Sequence, residues 1–188
     1  MTQTVPSKKR FQTVELAYIA VCTALIAVCS YIAIPTLVPF TLQTLAVFLV
    51  LQLLGGRNGF YAVLTYLLLG GIGVPVFAEF TGGPGILFGV TGGYLLGFLL
   101  MAVIYWAAEV LLGDKLWVRI TSLLVGLLIC YAFGTAWFLL VYNRSNDPVG
   151  IGTALGWCVF PFLLPDAVKF GVALGLAEAL RPHLKRPC

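Results

Sequence analysis

Charge is what this sequence of 188 residues has least of: Asp, Glu, Lys and Arg make up 10% of it, against about 25% in an ordinary soluble domain. With 61% of the residues hydrophobic and a mean hydropathy of +1.03, neither a soluble fold nor a disordered chain is compatible with the composition. Histidine occurs once, at His183. The five cysteines, Cys22, Cys29, Cys130, Cys158 and Cys188, form no C-x-x-C pair, so no metal site is readable and the thiols read as small apolar packing residues. No G-x-x-x-x-G-K-[ST] run exists, which excludes ATP hydrolysis by a phosphate loop. The seven acidic residues stand singly. They offer no carboxylate cluster for a metal, which argues against a small membrane enzyme such as a lipid-modifying transferase, and no cofactor is expected.

What the sequence does have is long uncharged runs. A helix needs about 20 apolar residues to cross the hydrocarbon core of a bilayer, and an open sheet cannot cross it at all. The runs predict an all-α protein of six transmembrane helices, over 16–34, 41–54, 60–78, 86–112, 118–142 and 165–181, with 148–164 as an outer segment and the whole of 1–188 as a single polytopic membrane domain. The second span is short because Pro35 and Pro39 restrict its opening. In the last, Pro165 is expected at the first helical position and Asp166 in the first turn, where the missing N–H costs nothing and a carboxylate meets the positive end of the helix dipole. The N-terminal basic cluster precedes a run too long for a signal peptide and without a clear cleavage site.

The basic residues orient the chain. With both termini in the cytoplasm, the inner side holds Lys8, Lys9, Arg10, Arg57, Lys115, Arg119, Arg181, Lys185 and Arg186, and the outer side only Arg144. This bias fits a multi-pass protein of the cell membrane and explains the net charge of +4 without nucleic acid.

Lys169 is the one basic residue left within a span, three positions after Asp166. Ionisable groups there are costly and face a cavity or a partner. At this spacing the two share a helix face, so they either hold helix register as an ion pair or present an acceptor and a cation to one ligand. The glycine- and proline-rich stretch 70–85 breaks the helix at the outer end of the third span, and irregular backbone at that depth is tolerated where it lines a cavity. Phe77, Phe80 and Tyr94 are candidates for an apolar wall. Gln43 and Thr91, each early in its helix, are ligand contacts or plain interhelical hydrogen bonds; Glu79 is expected in solvent and Glu109 near the inner end of its helix. Gly89, Gly93 and Gly97 predict close approach of a neighbouring helix. Ala17, Ala20, Ala24 and Ala27 make a smooth stripe on the first span, for internal packing or for another subunit.

Four runs in order, PFTLQTLA at 39–46, LLLGGIGVPVFA at 67–78, TGGYLLGF at 91–98 and FPFLLPDAVK at 160–169, resemble the BioY family, the biotin-specific substrate-binding (S) components of energy-coupling-factor (ECF) transporters. The resemblance covers nearly the whole chain. It implies a six-helix subunit that captures biotin from outside with high affinity. A transmembrane scaffold (T) subunit and ATP-binding-cassette ATPase subunits then drive release inward as the S component reorients in the bilayer. It further implies biotin contacts at Gln43, Gly82, Gly83, Thr91, Tyr94, Asp166 and Lys169, and scaffold docking through Ala20 and Ala24. An S component for another vitamin is the alternative reading.

Overall fold

The computed structural model describes residues 13–36, 38–145 and 147–184; Lys8, Lys9, Arg10, Lys185, Arg186 and Cys188 lie outside them. Helix α1, Thr13–Tyr31, leads into a two-residue antiparallel ribbon, Ala33–Ile34 against Phe40–Thr41. Prolines at 35 and 39 suit the connection of this ribbon, since neither supplies an N–H to it. The Thr41 hydroxyl then accepts the Gln43 N–H at 3.2 Å, and α2 begins.

Helix α2, Gln43–Gly71, is broken at Gly55, whose φ of 78° and ψ of 173° lie outside helical values. The break is a full reversal. A Cβ on Gly59 would touch Leu51, and the Gln43 side chain reaches Tyr66 at 3.1 Å; in a straight helix these pairs would lie about 12 and 35 Å apart at 1.5 Å per residue. The spans expected at 41–54 and 60–78 are therefore two arms of one helical hairpin with almost no loop. Glycine is needed at 55 because its φ belongs to the left-handed side. The Gly56 N–H that opens the second arm donates to the Glu109 carboxylate, so Glu109 sits as an acidic group at a helix N-terminus. The second arm ends at Gly71, short of the expected 78, where the glycine-rich stretch begins.

That stretch holds a turn over Ala78–Phe80 and the short α3, Pro84–Leu87. Helix α4, Gly92–Leu112, starts later than the expected 86, and Gly89 falls before it, in the connection from α3. Helix α5 is Leu116–Ser145. Gly93 and Gly97 do serve close approach: added Cβ atoms would come within 2.3 Å of Trp137 and 2.6 Å of Cys130 on α5. From the other side Gly126 abuts Met101 and Gly134 abuts Tyr94, and α4 with α5 forms the most extensive helix pair in the molecule.

The outer segment contains a helix of its own, α6, Ile151–Cys158. After Val159 the chain enters α7, Phe160–Leu180, five residues earlier than expected. Pro161 is the second helical residue and takes the place in the first turn expected for Pro165; Pro165 lies inside the helix, and Asp166 with it falls beyond the first turn. The opening proline costs nothing there, whereas Pro165 withholds an N–H from the carbonyl one turn back.

Among the described residues five helices are long and apolar enough to cross a membrane, and the reversal at Gly55 divides one of them into two arms, six in all. Among the described residues, charge inside the bundle is confined to Asp166 and Lys169 and to the end carrying Arg57. At that end Arg119 on α5 pairs with Glu178 of α7 at 2.8 Å and with Asp114 at 3.5 Å, and Arg181 also pairs with Asp114.

Candidate functional site

Away from that basic end, the ribbon, the turn at 78–80, and the outer parts of α4, α5, α6 and α7 enclose a cavity of about 200 Å³. Helix α7 sets its polar floor. Asp166 and Lys169 are buried, with 3% and 5% of their surface exposed, so their charges must be answered within the protein. The Lys169 ammonium donates to Asp166 Oδ1 at 2.8 Å, the Tyr131 hydroxyl of α5 donates to Asp166 Oδ2 at 2.6 Å, and Lys169 Nζ lies 4.2 Å from the centre of the Phe40 ring, a cation–π contact. The result is a charge-neutral cluster of which Tyr131, Asp166 and Lys169 nonetheless face the cavity. Spare lone pairs on the carboxylate and a spare N–H on the ammonium are what such a floor presents to an incoming group.

Above the floor the walls are mostly apolar: Phe77, Leu95, Phe98 and Phe162 line them. Gln43 also lines the cavity; its amide N–H₂ donates to the Tyr66 hydroxyl, leaving its carbonyl oxygen as an acceptor. Tyr94 contributes its ring, since its hydroxyl shares a hydrogen bond with Thr135 Oγ1 at 3.0 Å. Thr91 precedes α4 at the rim. A cavity with a few convergent polar groups in an apolar lining is the usual form of a small-molecule site.

Five of the seven residues singled out by sequence, Gln43, Thr91, Tyr94, Asp166 and Lys169, meet around this cavity. Gly82 and Gly83 are not among its lining residues. Gly83 donates its N–H to the Gly70 carbonyl at 2.6 Å, and a Cβ on Gly82 would fall 2.4 Å from the Val74 carbonyl oxygen, so both fold the loop. Phe80, expected as wall, is exposed and stacks on Tyr31 at 4.2 Å. Glu79 is exposed as expected, yet it lines the mouth of the cavity. Ala17, Ala20 and Ala24 point out of the bundle, while Ala27, the fourth of the stripe, is buried. Tyr131, Phe40 and Phe162 went unnoticed in the sequence. For Tyr131 a signal existed, a hydroxyl in the middle of an apolar span that needs a partner; the two phenylalanines carry none that separates them from ordinary core.

The model of the BioY family matches residues 2–186. The chain belongs to the BioY family. Among relatives, it is 41% identical over 168 residues to the biotin transporter BioY2 of Lactococcus lactis subsp. cremoris, covering 85% of this chain and 89% of that protein. It is 39% identical over 168 residues to the biotin transporter BioY of Thermotoga maritima, covering 89% and 95%. The crystal structure of the S-component for biotin from an ECF-type ABC transporter superposes with a TM-score of 0.79 over 92% of this chain and 95% of that one. At 22% identity that likeness carries the fold, a multi-pass S-component fold, and the BioY match carries the family.

Proposed function

We propose that this chain is the biotin-specific S component of an ECF-type uptake transporter. It captures biotin from outside and passes it inward when a transmembrane scaffold subunit and ATP-binding-cassette ATPase subunits act on it. The observation that carries the reading is the neutral cluster of Tyr131, Asp166 and Lys169 at the floor of an otherwise apolar cavity. Biotin ends in a ureido ring that is itself neutral, with two N–H donors and one carbonyl acceptor. The Asp166 carboxylate can accept from the N–H groups and the Lys169 ammonium can donate to the carbonyl, so neither partner is left with an unanswered charge. The fused sulfur-containing ring and alkyl tail then lie against Phe98, Leu95 and Phe162. The work is binding and reorientation, with no bond made or broken.

Ala20 and Ala24 supply the proposed docking face for the scaffold. They are exposed on α1 beside Val21 and Val28, and small side chains let a second helix approach closely. The relatives named as biotin transporters support the ligand.

The test is retention of radiolabelled biotin by the purified protein in the presence of excess thiamine, riboflavin or pantothenate. Retention is expected to survive all three competitors. Loss to any one of them, or no retention at all, would remove biotin as the ligand.

A further inference from the structure

Only three charged side chains line the cavity among the described residues: Asp166, Lys169 and Glu79. The first two cancel, at 2.8 Å. The third does not, so the lining carries one net negative charge, and the free acid of a biotin-type ligand carries another. Their placement follows from burial. Asp166 and Lys169 are deep, Glu79 is exposed at the mouth, and a ligand whose ureido ring is on the floor sends its tail towards that mouth.

Glu79 is held there by the backbone. Its φ is 57° and that of Phe80 is 55°, a left-handed pair that persists only where the surroundings enforce it. Three contacts do so: Phe77 bridges to Thr81, the Thr81 hydroxyl donates to the Ala78 carbonyl at 2.8 Å, and Phe80 stacks on Tyr31.

Given the biotin reading above, on which this rests, we infer that the cavity accepts neutral carboxyl derivatives, primary and alkyl amides of the ligand, at least as tightly as the free acid, and that Glu79 sets this preference. A carboxylate tail meets a like charge at the mouth. An amide tail meets an acceptor: its N–H donates to the Glu79 carboxylate, a charge-assisted hydrogen bond.

Displacement of radiolabelled biotin from the full chain in zwitterionic nanodiscs, by unlabelled biotin, its primary amide and its N-methyl amide, reads the preference directly. The amides are expected to displace at concentrations equal to or below that of the acid. Glu79→Gln should tighten the acid about two- to fivefold, the scale of an exposed charge pair, without tightening the amides; Glu79→Asn, a residue tolerant of left-handed backbone, should do the same. Raising salt from about 20 mM to about 500 mM should tighten the acid in the unsubstituted protein and not in Glu79→Gln, because screening removes the repulsion. Amides weaker than biotin by tenfold or more, with biotin itself retained, would overturn the preference and leave the biotin reading intact. An unchanged ratio of acid to amide in both variants would overturn the role of Glu79. Retention of neither ligand by the unsubstituted protein would strike down the biotin reading and this inference together.

Discussion

Asp166 accepts from two donors on two different elements, Lys169 one turn along α7 and Tyr131 across the interface with α5, and this shared carboxylate ties the proposed binding to packing. Its loss has two costs. The ligand loses a charged acceptor, and Lys169, 5% exposed, becomes a buried charge without its counter-ion. Asp166→Asn should therefore weaken biotin binding at least tenfold, from about 1.5–3 kcal/mol for a hydrogen bond to a charged group, measured by equilibrium dialysis with the labelled vitamin. Tyr131→Phe keeps the ring and the ion pair and removes one hydrogen bond to the carboxylate, also about 1.5–3 kcal/mol. The expected effect is a several-fold loss of affinity together with a lower Tm, because a buried carboxylate oxygen loses its donor. Unaltered affinity in both variants would mean that the ligand does not use this carboxylate.

At the scale of elements, the helical hairpin of α2 decides where the floor and walls meet. Its reversal depends on one dihedral, at Gly55, beside which an added Cβ would come 3.1 Å from the Glu109 carboxylate. Gly55→Ala should cost about 1–3 kcal/mol, visible as a lower Tm in detergent, whether or not biotin is present. An unshifted Tm would show that the reversal tolerates a side chain. This hairpin also marks how far the sequence could be read. The two apolar stretches and the glycines between them were legible as separate spans, because hydropathy and glycine content are local. That Gly55 alone makes the turn, with helix resuming at once, depends on Glu109 from α4 receiving the Gly56 N–H, a partner 53 residues away that no local pattern reveals. The opening of α7 differs from the expectation for a related reason: Pro161 and Pro165 are equally good helix starters in isolation, and nothing local separates them. Asp166 and Lys169 were legible because charge within an apolar span is conspicuous. Tyr131 and Phe40 complete the same cluster from other elements and look like ordinary lining until the fold brings them together.

The whole molecule has two ends of different character. One holds the cavity and a loop pinned by aromatic stacking; the other holds the ion pairs that join α5 to α7 through Arg119, Glu178, Asp114 and Arg181. Between them α1 presents an outward stripe of small residues that forms no part of the cavity lining. The proposed binding and docking faces are thus spatially separate, and substitution can part them. Ala20→Trp with Ala24→Trp should leave biotin affinity of the isolated subunit within about twofold, since distant sites act independently, while ATP-driven uptake by reconstituted transporter falls to background. Uptake at the unsubstituted rate would refute the docking face. The central claim concerns the floor of the cavity, and a structure solved with biotin bound tests it most directly. The ureido ring is expected within about 2.7–3.2 Å of both the Asp166 carboxylate and the Lys169 ammonium, with the tail towards Glu79; a ureido ring elsewhere, or a carboxylate tail on Lys169, would contradict the account.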